Sequence, residues 1–493
     1  AHRGRGLVVG GDAQPPAVHA LAHAMNEALG NVGQTVTYLP TPELVPSDQL
    51  ADLRQLASDM DAGRVQVLMV LGESNAVLSA PTDLNLADAM SKVPLRLHSG
   101  LFVDETAALC HWHVPAAHYL EAWSDARTID GTVTIVQPLI QPLYGGKSAH
   151  EVVATLTDTP ERNGYDLVRE FWMAQPQGSA APAAFETAWR RWLHDGMVAG
   201  TAQSPKTVAV AADLASRLPA GTAVAGVEVN FRRDPTVYDG RFANNGWLQE
   251  TPKPMSKLTW DNAALVGPAT AERLGVGNGD ILAVRHDGRL LRVPAWISPG
   301  HAPDTVSISV GYGRSRAGRV GNGTGFNAYA LRGSGSVWYG AAEAAPTGDD
   351  YQLVSTQDHW SIEGRNTLRS AHLEEFKANP TFAREMEHMK LDQGITLMPH
   401  HEYAGHKWGM AIDLNTCTGC GACMVACVAE NNIPVVGKEQ VATNREMHWL
   451  RVDRYYVGGL DNPDAYFQPV PCQQCENAPC EVVCPVAATV HSD

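Results

Sequence analysis

Two runs of cysteines near the C-terminal end constrain the fold of this chain more than any other feature. Eight of the nine cysteines lie in these runs, and Cys110 alone lies outside them. The first run contains Cys417, Cys420, Cys423 and Cys427, and the second contains Cys472, Cys475, Cys480 and Cys484, followed by Pro485. Ferredoxin-type loops bind a cubane iron–sulfur cluster through three closely spaced thiolates and a fourth from another run, and such runs end in Cys-Pro. We therefore expect a ferredoxin-like domain in which all eight cysteines bind iron.

Other uses of clustered cysteines fit this spacing less well. Zinc sites are usually built from pairs of C-x-x-C, whereas the first run places four cysteines within eleven residues. A disulfide framework is typical of short secreted chains, and this chain has 493 residues. A structural module with vestigial cysteines is a further alternative, and it would hold much less than one cluster per chain. Counting alone also allows the two runs to exchange fourth ligands and close two clusters, as in a two-cluster ferredoxin.

Length and charge narrow the class of protein. The length of 493 residues favours three or four domains. The net charge of −16 argues against nucleic acid as a partner, because neutralising phosphates requires concentrated basic side chains. There is no stretch of about eighteen apolar residues, so we expect no membrane span in this sequence. The sequence begins at Ala1 without methionine and stops at Asp493, so we expect residues to be missing at both ends, including any targeting segment.

The N-terminal third alternates between short apolar segments and amphipathic ones. We predict strands at Leu7–Val9, Thr35–Tyr38 and Val65–Leu71, and helices at Ala17–Leu29 and Ser47–Ala62. Short strands separated by amphipathic helices indicate a parallel sheet of nucleotide-binding type. No G-x-G-x-x-G motif follows these strands, so the dinucleotide fingerprint is absent.

The middle of the chain is richer in strand signals. A flexible linker is predicted at 174–184, and a helix with Trp189 and Trp192 follows it. Asp287-Gly288 between two apolar runs predicts a β-hairpin, and Thr305–Val310 predicts another strand. We interpret the region from about 206 to 340 as a small β-barrel. A polar connector with a helix at Leu373–Met389 then leads to the cysteine runs.

Several stretches resemble the molybdopterin oxidoreductases. Three of them are similar to the third domain of those enzymes: Gly72–Pro81, Asp104–Ala107 and Leu120–Asp125. Others resemble the C-terminal double-psi barrel that caps the pterin cofactor, including Leu265-Val266, Pro268–Ala271, Leu274-Gly275, Asn278–Asp280 and Gly311–Arg314. The resemblance implies a multidomain α/β chain in which a molybdopterin-oxidoreductase-like part is fused to an iron–sulfur part.

The fusion narrows the resemblance to one family. The chain resembles the fused molybdopterin-like and iron–sulfur subunits of alternative complex III, a bacterial quinol:electron acceptor oxidoreductase, in the stretches Ala17–Glu27, Cys110–Pro115, Lys407–Cys417, Glu430–Gln440 and Pro469–Cys472. In that family the molybdopterin-like part is a scaffold without the cofactor. The iron–sulfur part has four cysteine runs that hold three [4Fe-4S] clusters and one [3Fe-4S] cluster. The resemblance pairs the first run with the fourth and the second with the third, so the clusters of this chain would be completed by runs beyond Asp493.

The resemblance also implies a function, partners and a location. We expect an electron-transfer subunit of a respiratory or photosynthetic membrane complex, which relays electrons from quinol to haem c subunits. Its partners would be an integral-membrane quinol-binding subunit and the haem c subunits, at the periplasmic face of the cytoplasmic membrane. The chain would have no molybdenum active site of its own, and we predict no catalytic residue in it. The alternative is a catalytic molybdenum or tungsten oxidoreductase that acts on a small inorganic substrate.

From these features we expect a fold of five segments. They are an α/β molybdopterin-oxidoreductase-like domain at 1–173, a linker and continuation of that domain at 174–250, a double-psi β-barrel at 251–345, a connector at 346–410 and the first half of a ferredoxin-like domain at 411–493.

Two weaker candidate sites lie outside the cysteine runs. Cys110, His111 and His113, with His118 and Glu121, have side chains that suit zinc or copper, although a buried cysteine with hydrogen-bonded histidines is favoured. The glycine-rich loop Gly311–Gly325 carries three arginines suited to the phosphates of a pterin dinucleotide: Arg314, Arg316 and Arg319. The family resemblance favours a loop without the cofactor. The histidines of the connector are expected to lie in solvent or at an interface, with His406 beside Trp408 the best interface candidate.

Overall fold

The chain divides into two units, and each unit is built from three separate segments of the sequence. The structure is a computed structural model and describes residues 2–43, 45–72, 75–178, 181–219, 226–385 and 398–491. Unit 1 consists of Ala1–Ala225, Ser315–Ala317 and Tyr329–Ala341. Unit 2 consists of Gly226–Arg314, Gly318–Ala328 and Ala342–Asp493.

Unit 1 is built from helices and short strands. The helices are α1 (Pro16–Ala28), α2 (Gln49–Asp61), α3 (Ala76–Ser79), α4 (Leu86–Ser91), α5 (Ala149–Ala154), α6 (Gly164–Met173), α7 (Pro182–Asp195) and α8 (Leu214–Arg217), with 3-10 turns at Thr82–Leu84 and Ala107–Leu109. The strands are β1 (Val67–Leu71), β2 (Leu95–Gly100), β3 (Trp112–Pro115), β4 (Ser124–Arg127) and β5 (Val133–Val136).

A parallel sheet in the order β1-β2-β3 lies at the centre of the first half of unit 1. Met60 of α2, Leu68 of β1 and Met90 of α4 are buried in one apolar cluster, which holds these helices against the sheet. The side chain of Asp48 starts α2 by accepting hydrogen bonds from two exposed backbone amides, those of Leu50 and Ala51. The α/β class and parallel sheet predicted from the sequence are confirmed.

Two of the predicted strands are wrong. Leu7–Val9 pairs with no strand, because the side chain of Asn26 takes its place: Asn26 accepts from the Val8 amide at 2.9 Å and donates to the Val8 carbonyl at 2.7 Å. Thr35–Tyr38 belongs to a turn closed by a bridge between Val32 and Val36. The predicted helices at Ala17–Leu29 and Ser47–Ala62 are confirmed as α1 and α2.

An aromatic core fills the second half of unit 1. Trp189 and Trp192 of α7 pack with Trp172 of α6 and Phe185, and all four are buried beside the hairpin β4–β5. The Trp-rich helix is therefore confirmed. It begins at Pro182, so the end of the stretch predicted as a linker is helical, and Ser179 and Ala180 of that stretch lie outside the described residues.

Unit 2 contains a barrel and a cysteine-bearing region. Its strands are β6 (Val227–Arg233), β7 (Leu258–Thr259), β8 (Ala264–Val266), β9 (Asp280–His286), β10 (Arg289–Ile297), β11 (Thr305–Val310), β12 (Tyr339–Asp350, whose first residues belong to unit 1), β13 (Val354–Ser355), β14 (Leu450–Val457) and β15 (Asp464–Pro471). Its helices are α9 (Gly246–Glu250), α10 (Pro268–Leu274), α11 (Gly318–Gly321), α12 (Leu373–Ala378), α13 (Phe382–Glu385), α14 (Ala422–Glu430), α15 (Lys438–Val441) and α16 (Pro479–Val483). A 3-10 turn at Ala328–Leu331 begins in unit 2 and ends in unit 1.

Six strands close the barrel in the order β10-β8-β11-β6-β12-β9. β11 runs parallel to β6, and β10 runs parallel to β8. Asp287 and Gly288 have φ of 47° and 75°, as expected for the two central residues of a tight hairpin turn between β9 and β10. The predicted barrel, hairpin and strand Thr305–Val310 are confirmed, and the double-psi class of the barrel stays a prediction.

The predicted connector helix is shorter than expected. α12 ends at Ala378 and α13 begins at Phe382, because Pro380 disfavours a helical backbone at Asn379 before it. The rest of the predicted helix, from residue 386, lies outside the described residues. Across the described part of the chain, no helix is both long enough and apolar enough to cross a membrane.

Candidate iron–sulfur centre

The first cysteine run forms a tight loop that leads into α14. Gly419 and Gly421 have φ of 67° and 78°, in the left-handed region that favours glycine. A Cβ at Gly419 would overlap the ring of Phe467 in β15, so this position accepts only glycine without rearrangement. Cys423 and Cys427 lie one turn apart in α14 and therefore on the same face of the helix. The backbone of this loop therefore turns tightly, as the backbone of a cluster-binding loop must.

Three thiols of the first run lie within electrostatic reach of one another. Burial raises the pKa of the Cys423 thiol, and charge on Cys420 or Cys417 raises it further by opposing ionisation. The side-chain amide of Asn431 donates to the carbonyl of Cys427 at 2.9 Å and lies 3.6 Å from its sulfur. Hydrogen bonds to sulfur are one of the factors that set the reduction potential of a cluster.

The second run begins where β15 ends and continues around α16. The amide of Cys472 donates to the carbonyl of Trp449 at 2.8 Å and anchors the start of the run. The sulfur of Cys484 accepts a hydrogen bond from the amide of Ala488 at 3.2 Å. Hydrogen bonds from backbone amides lower the pKa of the Cys484 thiol, and the amide of Ala488 has the largest effect. A lower pKa favours the thiolate, which is the form that binds metal.

The segment after Cys484 folds back onto the second run. Thr489 donates its hydroxyl to the carbonyl of Cys480 at 3.0 Å. His491 contacts the carbonyl of Cys475 at 2.9 Å through Nε2 and the carboxylate of Glu481 at 2.7 Å through Nδ1. The carbonyl of Cys475 and the carboxylate of Glu481 both raise the pKa of His491. These contacts fix the loop through its backbone and leave the sulfurs of Cys475 and Cys480 available.

The donor set fits iron–sulfur clusters better than single metal ions. A tetrahedral zinc site needs sulfurs roughly 3.8 Å apart. Within the described ranges, no three side chains of His, Cys, Asp or Glu are grouped closely enough to hold one metal ion. All eight cysteines of the two runs are free thiols. The first loop contains two left-handed glycines, and a backbone amide donates to the sulfur of Cys484 in the second run. These features suit loops that bind a cubane cluster.

A buried carboxylate from the barrel side holds the segment that follows the first run. Glu250, at the end of α9, is 2% exposed. It accepts hydrogen bonds from the amide of Val436 at 3.1 Å, the amide of Gly437 at 2.8 Å and the indole of Trp260 at 3.2 Å. The indole of Trp247 donates to the carbonyl of Ile433 at 2.7 Å. The cysteine-bearing region is therefore bound to the barrel by specific polar contacts within unit 2.

An ion pair strengthens this junction. The ammonium of Lys438 lies 2.7 Å from the carboxylate of Asp261, which is 1% exposed, and 2.9 Å from the hydroxyl of Tyr351. The hydrogen bonds to Asp261 and Tyr351 outweigh burial and raise the pKa of Lys438. Sequence reasoning missed Glu250, Asp261 and Lys438, because their partners are far away in the chain.

The candidate mononuclear site around Cys110 is not assembled. The thiol of Cys110 packs against the core of unit 1 and donates to the carbonyl of Thr106 at 3.5 Å. Burial raises its pKa, which disfavours the metal-binding thiolate. The other candidate ligands have separate partners: His111 accepts from the amide of Arg96, His113 stacks on His98, His118 accepts from the amide of Leu120, and Glu121 accepts from the amides of His118 and Leu143.

Several donors of the glycine-rich loop at Gly311–Gly325 are already bonded within the protein. Arg314 is 6% exposed and donates to the carbonyl of Gly240 at 2.7 Å. In unit 1, the carboxylate of Glu105 accepts from the amides of Ser315 at 2.9 Å and Arg316 at 3.0 Å. Glu105 therefore occupies the position where a phosphate would be bound by these amides. Arg316 and Arg319 are exposed.

The connector histidines have surface positions. His359 pairs with Glu363 at 3.6 Å, and the ring of His401 lies edge-on to Tyr403. His406 is exposed beside Trp408, whose side chain is 94% exposed. His388 lies outside the described residues.

Comparisons with known proteins assign the cysteine-bearing region. Residues 395–488 match the family model of the 4Fe-4S dicluster domain. The iron–sulfur cluster-binding subunit of menaquinone reductase from Nitratidesulfovibrio vulgaris is 49% identical over 86 residues, which are 17% of this chain and 32% of that protein. The expected ferredoxin-like 4Fe-4S domain is therefore confirmed.

A larger part of the chain is similar to a second subunit of menaquinone reductase. The molybdopterin-binding-like subunit of menaquinone reductase from N. vulgaris is 26% identical over 332 residues, which are 62% of this chain and 46% of that protein. Acetylene hydratase from Pelobacter acetylenicus is a structural neighbour with a TM-score of 0.42 and 14% identity, over 59% of this chain and 46% of its own, which is too distant to support an assignment.

The chain matches only part of each of these two relatives. It spans about a third of the iron–sulfur relative and just under half of the molybdopterin-like relative. One polypeptide thus joins a 4Fe-4S dicluster domain to a molybdopterin-oxidoreductase-like region.

Proposed function

We propose that this chain is the iron–sulfur electron-transfer subunit of a quinol-oxidising membrane complex of the alternative complex III type. The observation that carries the proposal is that the segment after the first cysteine run is bonded to the barrel region through Glu250 and Lys438. In N. vulgaris the two similar proteins are separate subunits of a menaquinone reductase. Their combination in one chain supports a role in the same class of quinone-linked complex.

Iron–sulfur clusters, when bound, supply one-electron transfer. The residues of this chain would place the sulfurs and direct amide groups at the thiolates. The Ala488 amide at Cys484 and the Asn431 side chain near Cys427 act in this last way. The spacings of three to five residues in each run let one loop provide three ligands at once. The chain therefore acts by fixing the positions and potentials of its clusters.

The proposal includes the arrangement of the clusters. We expect the full protein to hold three [4Fe-4S] clusters and one [3Fe-4S] cluster, with the first cysteine run paired with a fourth run and the second with a third. The alternative is an exchange of ligands between the two runs of this chain, which would make it a self-contained two-cluster domain. Substitution of Cys427 by Ser separates these arrangements: exchange within the chain predicts a defect in the cluster of the second run, detected by its EPR signal.

We also propose that this chain has no molybdenum site of its own. Glu105 already holds the amides of Ser315 and Arg316, and Arg314 is directed to the carbonyl of Gly240. These contacts use two backbone amides and one guanidinium that could otherwise bind the phosphates of a pterin dinucleotide. We therefore expect the molybdopterin-like part to act as a support for the clusters.

The partners and location follow from the proposed complex. An integral-membrane quinol-binding subunit would deliver electrons, and haem c subunits would receive them, at the periplasmic face of the cytoplasmic membrane. The five segments expected from the sequence, from 1–173 to 411–493, are proposed as the domains of this subunit.

Metal analysis of the native complex tests the proposal. Iron and acid-labile sulfide should be present at several atoms per chain, with molybdenum and tungsten far below one atom per chain. Stoichiometric molybdenum or tungsten would instead identify a catalytic molybdopterin oxidoreductase. Iron well below one cluster per chain would identify a structural module with unused cysteines.

A further inference from the structure

A lysine of the barrel region is buried close to the first cysteine run. Lys257 directly precedes β7, is 2% exposed and has a φ of 59°. Its ammonium lies 5.7 Å from the centre of the Phe467 ring. The same ring packs against Gly419, which lies between Cys417 and Cys420. The ammonium of Lys257 and the loop that holds the first three cysteines therefore lie beside the same aromatic ring.

The ammonium of Lys257 forms no ion pair with a carboxylate in the described parts of unit 2. Asp453 is close, but its carboxylate is engaged with Arg451 at 3.0 Å. Lys253, four residues earlier, provides a contrast: it bonds the hydroxyl of Tyr312 at 2.9 Å and lies 3.5 Å from Asp234. An unpaired buried ammonium is costly, so a nearby anion is expected to compensate for it.

A second buried cation lies in the same place. Arg454 of β14 is 5% exposed and pairs across the hairpin with Phe467. Its guanidinium stacks 4.6 Å from the centre of the Tyr456 ring, and no carboxylate among the described residues forms an ion pair with it. Burial, and then repulsion by Arg454, lower the pKa of Lys257 to about 8, while Asp453 and Cys417 oppose this change. Positive charge therefore accumulates below the first run without an equal amount of negative charge.

We propose that the positive charge of Lys257 raises the reduction potential of the cluster bound by Cys417, Cys420 and Cys423. This inference rests on the proposed function, since it requires a cluster at these cysteines. A cluster with four thiolate ligands is anionic, and one-electron reduction adds one further negative charge without making or breaking a bond. A positive charge beside the Phe467 ring stabilises the reduced form of the cluster more than the oxidised form. The molybdopterin-like part would then tune the cluster as well as support it.

The experiment compares neutral variants of Lys257 in the native complex. Lys257→Met and Lys257→Gln both remove the charge but differ in polarity, and Lys257→Arg retains the charge. Lys377→Met is the matched control, because Lys377 is an exposed lysine on α12. Reduction potentials are measured by EPR-monitored titration with redox mediators, and iron content and thermal unfolding are measured on the same samples. If one neutral variant does not fold, the other carries the test.

We expect the potential of one cluster to fall in both neutral variants while the others stay constant. The expected loss is about tenfold in the equilibrium constant for reduction, which for a one-electron couple is about 59 mV. Lys257→Arg and Lys377→Met should leave the potential near that of the unaltered protein. Clusters present at full occupancy with an unchanged or raised potential would overturn the inference alone. Absence of clusters from the unaltered complex would overturn the proposed function, and the inference with it.

Discussion

Removal of the Glu250 carboxylate should loosen the cysteine-bearing region from the barrel. Glu250 accepts hydrogen bonds from the amides of Val436 and Gly437 and from the indole of Trp260. Glu250→Ala leaves these three donors without an acceptor. A donor left unsatisfied costs about 1–3 kcal/mol, and the lower limit applies here because the two amides are only half-buried. The expected loss is therefore about 3 kcal/mol in the free energy of unfolding.

The size of unit 2 determines how far this loss of stability lowers the unfolding temperature. For a domain of 150–250 residues, each kcal/mol lowers Tm by roughly 2–4 °C, so Glu250→Ala should lower the Tm of unit 2 by about 9 °C. Glu250→Gln keeps one carbonyl oxygen and should lower it by about 3 °C. Differential scanning calorimetry of the cluster-loaded protein measures both values.

A surface glutamate provides the control for this series. Glu272 lies on α10 and is exposed, so Glu272→Ala should change the Tm by less than about 2 °C. Equal unfolding temperatures for Glu250→Ala and Glu272→Ala would refute the stabilising role of the Glu250 carboxylate. A loss in Glu250→Gln as large as that in Glu250→Ala would show that charge, and not the number of hydrogen bonds, determines the effect.

Three further changes test other parts of the structure. Gly419→Ala should remove the iron of one cluster, because the added Cβ overlaps the ring of Phe467. Gly409→Ala is the control and should keep full iron content, because the space around Gly409 is open. Equal iron contents in the two variants would contradict the loop geometry. Trp192→Ala should cost about 3–5 kcal/mol in denaturant unfolding, and Trp408→Ala, at an exposed position, should cost almost nothing. Burial lowers the pKa of His98 below its ordinary value of about 6.5, so the unfolded chain binds the proton better. Unit 1 should therefore lose stability in denaturant titrations as the pH falls below about 6.5, and a pH dependence unaltered in His98→Gln would exclude His98 as its source.

The features that the sequence predicts well are those decided by neighbouring residues. Cysteine spacing indicated the dicluster domain because three ligands of a cluster come from one short loop. The hairpin at Asp287-Gly288 was predicted because the conformation of a two-residue turn depends on its own residues. The Trp-rich helix α7 was predicted from the composition of a single segment.

The features that the sequence did not predict depend on distant residues. Glu250 meets Gly437 across 187 residues of chain, and no local pattern marks either of them. Lys257 is an ordinary lysine in the sequence, and only the fold places it against Phe467. Leu7–Val9 has the composition of a strand, but the side chain of Asn26 satisfies the backbone at Val8 in place of a neighbouring strand.

The central claim is that the two cysteine runs hold clusters that accept electrons from quinol. EPR spectra of the native complex, purified without oxygen and frozen before and after addition of reduced quinol, test it most directly. We predict that signals of reduced iron–sulfur clusters appear, or that those of an oxidised [3Fe-4S] cluster disappear, on addition of quinol. Spectra without any cluster signal, or cluster signals that quinol leaves unchanged, would contradict the claim.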